Sequence, residues 1–425
     1  MLKNVVKPLR LNFDSPQPLT ILIDYSSPNI AKFFHFGHFR ATVLGNFLNS
    51  LLKTFGHKTH TINYIGDWGF QFALLGHGIE ENKITSQNKS LSDIRQLYSQ
   101  FSSLSATDPE FRNKAKIYNS EFEESFLLGE KTNRFDEWSY IRNISLANYY
   151  ELYKKLGINF DSFEFESQYV SKTHENMKEW VKKGIFNDND LYFVNKSSKK
   201  IPLFTQEKST LYLSRDITAF LSRKSRYNFD KIHYVVDSDQ SLHFQNMKEF
   251  LHKLDPSVKF NDLLHVPFSK VSGQSSRKLS GIYLGSFIDE TKKKCYEQLL
   301  HSPTTRTSQE DLELVAEKLA LSWLFFEILK YPRLTKVNTE LHFDNRDLSG
   351  RKLQYCNARL CSIFKRFSAS YPSLLTCFDE KNFEFDEREI ISKLVNPGEI
   401  YKKLDSQQKI VINKVLSFVD GYVFY

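Results

Sequence analysis

Cysteine is scarce in this chain of 425 residues, which contains four. No two cysteines have the C-x-x-C spacing of a zinc or redox site, and Cys356 and Cys361 have no histidine nearby at zinc-ligand spacing. This scarcity argues against a disulfide-bonded secreted domain and indicates a reducing, intracellular compartment.

The sequence also lacks long apolar runs and an acidic excess. No stretch of about 18 or more apolar residues is present, so we expect no membrane-spanning helix and no membrane partner. Lys and Arg number 58 against 50 Asp and Glu, which gives a formal net charge of +8. That balance permits a polyanionic partner such as nucleic acid, although a solvated surface explains the charge alone equally well.

Aromatic residues are abundant, with 37 Phe and 21 Tyr. So much burial potential excludes a disordered chain, and the length suits two or three domains. Residues 1–18 form a basic arm that contains Lys3, Lys7 and Arg10 and no acidic residue before Asp14. The arm is compatible with a short mitochondrial targeting segment and equally with a plain basic extension.

The periodicity of residues 19–64 predicts a strand, a helix and a second strand. Residues 19–25 are an apolar run, residues 38–52 have apolar side chains at helical spacing up to Gly56, and residues 59–64 form the next strand. A strand–helix–strand unit of this length predicts a parallel sheet with helices on both faces. The fold class is therefore α/β, with a Rossmann-like parallel sheet.

The rest of the chain divides by composition. Residues of about 80–200 are charged, aromatic and largely helical, which indicates an insertion in the sheet domain. Strands are predicted at 210–213 and 231–236, each followed by a helix, and a Ser/Gly/Lys-rich loop covers about 266–282. We predict a sheet domain over 19–295 and an all-α domain over 296–425.

The segment from His35 to His38 follows the first predicted strand and opens the first helix. A helix N-terminus offers unpaired N–H groups and a positive dipole, Gly37 allows close approach of a ligand, and both histidines can hydrogen-bond phosphate oxygens. The pattern predicts a phosphate site. Taken alone, two capping or core histidines would explain it as well.

A longer stretch, DYSSPNIAKFFHFGHFR at 24–40, resembles the ATP-binding motif of class I aminoacyl-tRNA synthetases, and more narrowly that of arginyl-tRNA synthetases. Further blocks are similar to the same family and occur in its order. They lie at 63–72, 210–216, 228–232, 239–244 and 353–360. Residues 265–268 resemble the shorter, mitochondrial arginyl enzymes.

The resemblance implies a Rossmann-like catalytic domain with a helical insertion, followed by an all-α anticodon-binding domain. It implies an arginine–tRNA ligase that activates L-arginine with ATP and transfers the arginyl group to the 2′-hydroxyl at the end of tRNA(Arg), which must bind before activation. ATP is then a substrate accompanied by Mg²⁺, and we expect no dedicated metal site in the protein. We expect a monomer in the mitochondrial matrix, with the cytoplasm as the alternative.

The resemblance also assigns residues to the substrate arginine. A guanidinium is planar and always charged, so it requires carboxylates in a fork geometry. Tyr212 and Asp216, four residues apart at the start of a helix, would bind it, with Asp24 as a further carboxylate; alone, Asp216 would be explained as an acid at a helix N-terminus. The remaining groups of arginine would meet Ser27, Asn29, His38 and Gln240. Trp68 would line the pocket, with a core aromatic residue as the alternative.

The second catalytic loop departs from the class pattern. Many class I synthetases carry a Lys-Met-Ser-Lys-Ser loop, whereas residues 272–278 here contain Ser275, Ser276, Arg277 and Lys278. The resemblance implies that the two cations are catalytic, together with His35, Gly37 and His38, and that the two serines bind ATP, together with the two histidines. The alternative is a solvated Ser/Lys loop.

Relatives in this family commonly carry a separate domain before the first strand that contacts the corner of the tRNA. Residues 1–18 are too few to form one, so we expect recognition to rest on the acceptor end, the insertion and the helical region. The alternative function is a catalytically inactive, synthetase-like protein that binds tRNA or another protein. Retention of both histidines, Tyr212 and Asp216 favours the enzyme.

Overall fold

The computed structural model describes residues 18–186, 191–272, 284–302, 305, 307–338, 349–370, 378–379 and 384–385. The basic arm up to residue 17 and the predicted catalytic loop at 273–283 therefore lie outside the described residues. The chain divides into two compact units, Leu11–Gln354 and Met1–Arg10 with Tyr355–Tyr425. The predicted domain boundary at 295/296 falls inside the first unit, and within one of its helices.

A five-stranded parallel sheet forms the centre of the larger unit, and it confirms the predicted α/β class. Its spatial order is β3-β2-β1-β6-β7. These strands are β1 (Thr20–Tyr25), β2 (Lys58–Ile65), β3 (Ser162–Phe165), β6 (Lys231–Asp237) and β7 (Leu263–Phe268). Short strand pairs account for the others: β4 (Tyr192–Val194) with β5 (Lys200–Pro202), β8 (Val271–Ser272) with β9 (Val337–Asn338), and β10 (Phe378–Asp379) with β11 (Glu384–Phe385).

The central strand β1 is buried on both faces, as expected of a parallel sheet covered by helices. Ile21, Leu22 and Ile23 are almost wholly inaccessible to solvent. β1 pairs in parallel with β2 on one side and β6 on the other. The chain leaves β1 toward β2 and β3 on one side and later returns to β6 and β7 on the other. A crevice therefore opens between the carboxyl ends of β1 and β6, where parallel α/β sheets bind ligands.

The described residues contain eleven α-helices. They are α1 (Phe36–Thr54), α2 (Phe70–Glu81), α3 (Leu91–Thr107), α4 (Pro109–Leu127), α5 (Asn133–Leu156), α6 (Val170–Lys182), α7 (Tyr212–Tyr227), α8 (Ser241–Leu254), α9 (Leu284–His301), α10 (Leu312–Leu329) and α11 (Ser349–Ser370). Three-residue and four-residue 3₁₀ turns occur at Glu166–Tyr169, Ser238–Gln240 and Gln309–Asp311. No helix of the described part is both long and apolar enough to span a bilayer.

The range predicted as an insertion contains three long helices and also part of the main sheet. A Ser90–Asp93 capping box starts α3, and Asp108 with Pro109 starts α4. The edge strand β3, which pairs with β2, also lies in this range and was not predicted. The strand has four residues and lies between charged segments, so its alternation of apolar and polar side chains is too short to be recognised in the sequence.

The strand predicted at 210–213 is wrong. Thr210 makes a single bridge to Phe204, and α7 begins at Tyr212. Ser214 explains the change, because its hydroxyl donates to the carbonyl of Leu211 and accepts from the Leu211 N–H, which stabilises a helix start. Conversely, β7 occupies part of the range predicted as a loop.

Candidate active site

A cavity of about 530 Å³ opens at the carboxyl edge of the sheet, in the crevice between β1 and β6. The predicted site residues that line it are Asp24, Ser27, Asn29, His35, Gly37, His38, Tyr212, Asp216 and Gln240. The structure thus brings together side chains that are more than 200 residues apart in sequence. The other predicted residues, Ser275, Ser276, Arg277 and Lys278, lie outside the described residues.

The loop between β1 and α1 has an unusual backbone. Ser26, Ser27 and Ala31 have φ values of 76°, 44° and 60°, in the left-handed region that costs a residue with a side chain about 1–3 kcal/mol. Tyr153 stabilises this geometry through a 2.6 Å hydrogen bond between its hydroxyl and that of Ser26. Ser145 accepts the Ala31 N–H at 3.0 Å. The surrounding helix α5 therefore holds the loop in shape.

Asn29 enters the cavity beside a glycine that has no room for a side chain. Ile30 donates its N–H to the carbonyl of Gly66 at 3.0 Å, and Gly66 donates to the carbonyl of Pro28 at 3.1 Å. A Cβ on Gly66 would lie 1.9 Å from Asn29 Oδ1. The absence of a side chain at Gly66 therefore allows the loop between β1 and α1 to pass close to the end of β2.

His35 and His38 form a stacked pair at the start of α1, with ring centroids 3.8 Å apart. His35 Nδ1 accepts the N–H of Gly37 at 3.1 Å, so His35 caps the helix and has its other ring nitrogen for a ligand. Burial lowers the pKa of His35 to about 4, and burial and the neighbouring His35 lower the pKa of His38 well below its usual value. His38 Nδ1 is buried without a hydrogen-bond partner among the described residues. The pair is therefore neutral at pH 7, and it can donate hydrogen bonds to phosphate without adding charge.

Two carboxylates occupy another part of the cavity. Asp216 lies one turn after Tyr212 on α7, so the predicted spacing does place both side chains at one pocket. Asp216 Oδ2 is 2.7 Å from His243 Nε2. Glu166, which directly follows β3, is buried, and its Oε2 accepts from Arg215 at 2.9 Å. Burial raises the pKa of Glu166 to about 8, against the lowering effect of Arg215. Sequence reasoning missed Glu166 because it missed β3.

Asp24 lines the cavity, but its carboxylate is already engaged. Oδ1 accepts the Ser27 hydroxyl at 2.9 Å, and Oδ2 accepts from Arg223 at 2.8 Å. Arg223 is buried and also donates to Glu164 at 2.8 Å. This pairing disfavours the prediction that Asp24 binds a guanidinium. Arg215 pairs with Glu166 through Oε2 alone, whereas both oxygens of Asp24 are engaged, so Asp216 and Glu166 are better suited to that role and Asp24 orients Ser27.

The prediction that Trp68 lines the pocket is wrong. Trp68 is buried, and its ring stacks on Phe122 with centroids 4.9 Å apart. Its Nε1 donates at 2.9 Å to Glu123 Oε2, and the same carboxylate accepts the N–H and the hydroxyl of Thr210. Glu123 belongs to α4, so the insertion fixes the segment that leads into Tyr212.

A second cavity of about 420 Å³ adjoins the first, since Tyr212 lines both. Helix α4 contributes the exposed cations Arg112 and Lys116 to its wall, and Phe70 contributes an aromatic ring. Arg112 lies over that ring at 5.7 Å. Cations beside an aromatic face suit single-stranded nucleic acid.

No group of three or more His, Cys, Asp or Glu in the described part of the chain could hold a metal ion.

The sheet order, the crevice at the carboxyl ends of the strands and the helix that starts beside it define a Rossmann-like α/β domain. Residues 2–341 match the family model described as "tRNA synthetases class I (R), catalytic domain". The match covers most of the chain, and the chain belongs to this family.

Similar proteins carry related descriptions. The chain is 32% identical over 375 residues to the probable mitochondrial arginine–tRNA ligase of Mus musculus, covering 85% of this chain and 63% of the relative. It is 32% identical over 385 residues to the mitochondrial arginine–tRNA ligase of Saccharomyces cerevisiae, covering 85% of this chain and 58% of the relative. It is 30% identical over 386 residues to the probable cytoplasmic enzyme of Dictyostelium discoideum, covering 81% and 63%. The chain thus spans about three fifths of the length of these curated relatives.

Solved structures agree on the fold. Arginyl-tRNA synthetase from Plasmodium falciparum superposes with a TM-score of 0.66 at 24% identity, covering 82% of this chain and 59% of that one. The Thermus thermophilus enzyme gives a TM-score of 0.64 at 16% identity, covering 82% and 65%. At these identities the likeness concerns the fold.

Proposed function

We propose that this chain is an arginine–tRNA ligase, which activates L-arginine with ATP and transfers it to tRNA(Arg). The observation that carries the proposal is a single cavity that combines a helix N-terminus lined by two neutral histidines with two acidic side chains, Asp216 and Glu166. A bound guanidinium would lower the raised pKa of Glu166 and so favour its carboxylate form. The helix start suits a phosphate and the carboxylates suit a guanidinium. Membership of the family supports the assignment.

The first step joins the two ligands. An arginine carboxylate oxygen attacks the α-phosphorus of ATP, the bond to the bridging oxygen breaks, and pyrophosphate leaves. His38 and the N–H groups of α1 hydrogen-bond the phosphate as charge shifts onto its oxygens. Ser27, Asn29 and Gln240 line the same cavity and hold the polar groups of the amino acid, while Asp216, Glu166 and Tyr212 fix its guanidinium. Catalysis is then mainly positioning and charge stabilisation. Mg²⁺ would accompany the nucleotide and would offset the negative charge of its phosphates.

In the second step the 2′-hydroxyl of the terminal adenosine attacks the arginyl carbonyl, and AMP leaves. The second cavity shares Tyr212 with the first, which supports it as the place of the tRNA end. Arg112 and Lys116 in its wall suit the phosphates of the single-stranded tRNA end. Residues 296–425 remain the proposed anticodon-binding region. Residues 275, 276, 277 and 278 remain the proposed second catalytic loop.

We place the protein in mitochondria, in the matrix, because mitochondrial enzymes are among its most similar relatives. The similar cytoplasmic enzymes make the cytoplasm the alternative. Imaging of a C-terminal fluorescent fusion tests the compartment.

Pyrophosphate exchange tests the activity. The chain is incubated with ATP, labelled pyrophosphate and tRNA(Arg), and with arginine, lysine or citrulline. We expect exchange with arginine and none with citrulline, which has the same shape but carries a neutral group in place of the guanidinium. Exchange with another amino acid would contradict arginine as substrate. ATP and tRNA binding without exchange would support the inactive, synthetase-like alternative.

A further inference from the structure

The active-site cavity has an uneven charge distribution. Four carboxylates line it: Asp24, Glu166, Asp216 and Asp237. Buried arginines outside the lining pair with two of them, Arg223 with Asp24 and Arg215 with Glu166. Among the described lining residues the lysines and arginines are represented by Lys270 alone. The two histidines at the helix start are neutral at pH 7. A nucleoside triphosphate that enters this cavity therefore meets one full positive charge among the described lining residues, that of Lys270.

The backbone of Lys270 lies close to the phosphate-binding end of the cavity. Arg40, in the first turns of α1, donates to the carbonyl of Ser269 at 2.7 Å. Lys270 is the next residue, between β7 and β8, and Gly37 at the start of α1 lines the same cavity. The helix start and Lys270 therefore form adjacent parts of one wall.

The amine of Lys270 has a partner that it can exchange. It contacts the carboxylate of Asp239, which follows β6. The two side chains are 63% and 61% exposed. An ion pair so open to solvent contributes little free energy, so a phosphate with a higher charge can take the amine from the aspartate.

We propose that Lys270 binds the β- or γ-phosphate of ATP and that Asp239 holds its amine while no nucleotide is bound. The inference rests on the proposed function. It adds to the proposed ATP site a residue that lies outside the motifs described above. Lys270 precedes the predicted catalytic loop, so no motif pointed to it. Its charge would stabilise the pyrophosphate that leaves when the α-phosphorus is attacked.

The test compares ATP with AMP, which lacks the β- and γ-phosphates. Affinities of both nucleotides are measured by calorimetry with Mg²⁺ present, for the unmodified chain and for Lys270→Met, Lys270→Arg and Asp239→Asn. Lys253→Met, an exposed lysine at the end of α8, is the matched control. Circular dichroism melting shows that each variant is folded.

We expect Lys270→Met to weaken ATP binding about tenfold, as for the loss of one partly exposed charge-assisted contact, and to leave AMP binding within about twofold. Lys270→Arg should keep most of the ATP affinity. Asp239→Asn should not weaken ATP binding, because it releases the amine.

Equal effects on ATP and AMP, or no effect on either, would overturn the inference. So would an Asp239→Asn variant that loses as much ATP affinity as Lys270→Met, because the ion pair itself would then matter. If the unmodified chain bound ATP but the variants did not show the expected difference between ATP and AMP, the proposed function would stand without a role for Lys270. If the unmodified chain bound no ATP, the proposed function would fall, and this inference with it.

Discussion

Individual residues of the site differ in how firmly the fold holds them. Asp24 is bound on both oxygens, whereas Asp216 contacts His243 and remains about one-fifth exposed, at 22%. A substrate cation can therefore reach Asp216 without breaking a buried ion pair. The same contrast distinguishes His35, whose Nδ1 is used in the helix cap, from His38, whose Nδ1 has no partner in the described part of the chain.

Replacement of Asp216 tests the proposed arginine site. Asp216→Asn should leave the affinity for ATP nearly unchanged and lower kcat/KM for arginine by about 30- to 1000-fold, or about 2–4 kcal/mol, because a shielded guanidinium loses a charged acceptor. Pyrophosphate exchange at varied arginine concentration measures it. Asp255→Asn, an exposed aspartate beyond α8, is the control. Unchanged arginine kinetics would remove Asp216 from the site.

The histidine cap predicts a pH dependence of stability. The pKa of His35 is about 4 in the folded chain and about 6.5 when unfolded, so the unfolded state binds more protons between these values. The free energy of unfolding must then fall as the pH drops from about 6.5 toward 4. His35→Asn keeps an N-cap acceptor and removes the titration.

Urea unfolding at pH 7.5 and pH 5 measures this dependence. We expect the unmodified chain to lose about 1–2 kcal/mol more than His35→Asn between these two pH values. An equal loss in both proteins would show that the imidazole of His35 is not shielded from protons.

Among the secondary-structure elements, α4 connects the insertion with the site. Glu123 on its buried face binds Trp68 and Thr210, and its exposed cations Arg112 and Lys116 line the second cavity. Four residues separate these two cations, so they share one face of the helix. The helix thus packs with one face and offers the other to a ligand.

This arrangement predicts a specific loss of tRNA affinity. The double variant Arg112→Met/Lys116→Met should raise KM for tRNA about 10-fold or more and leave KM for arginine unchanged at saturating tRNA, since lost phosphate contacts affect tRNA alone. The dependence of tRNA affinity on salt should also become shallower, by about 0.7 per lost contact. Aminoacylation at several salt concentrations measures both. The control is Lys114→Met on the same helix, because Lys114 pairs with Glu81 and Glu110. An equal effect of this control would contradict a specific tRNA site.

Within the larger compact unit, Arg40 joins segments that are far apart in sequence. Its side chain is wholly buried, and it donates to the carbonyls of Ser269, Arg333 and Thr335 at 2.7, 3.0 and 2.8 Å. The separations in sequence reach 295 residues. One guanidinium therefore ties α1 to the end of β7 and to the turn before β9.

Removal of this link should destabilise the whole unit. Arg40→Met removes these three hydrogen bonds of a buried guanidinium, of whose acceptors the Arg333 carbonyl keeps the N–H of Ser269, and we expect a loss of about 2–4 kcal/mol in the free energy of unfolding. Urea unfolding measures it, with Lys53→Met, an exposed residue of the same helix, as the control. A loss below about 1 kcal/mol would show that water replaces the guanidinium.

Local patterns determined the α/β class, the strand–helix–strand unit and the motif residues that line the cavity. Burial of an apolar run and the start of a helix depend on neighbouring residues, so they are visible in the sequence. The resemblance of ordered motifs then indicated the family. The spacing of Tyr212 and Asp216 held even though the predicted strand before them was wrong, because four residues make one helical turn.

Only the tertiary structure could decide which charges remain available to a ligand. Arg223 engages Asp24 from 199 residues away, and β3 brings Glu166 into the cavity from within a range that reads as a helical insertion. Trp68 became a core residue because Glu123 and Phe122, on a distant helix, meet it. Lys270 belongs to no recognisable sequence motif. It became a candidate ligand-binding residue only because the fold places it in the same cavity wall as the start of α1. The physical reason is the same in each case: ion pairing and burial depend on distances in space, and no local periodicity encodes them.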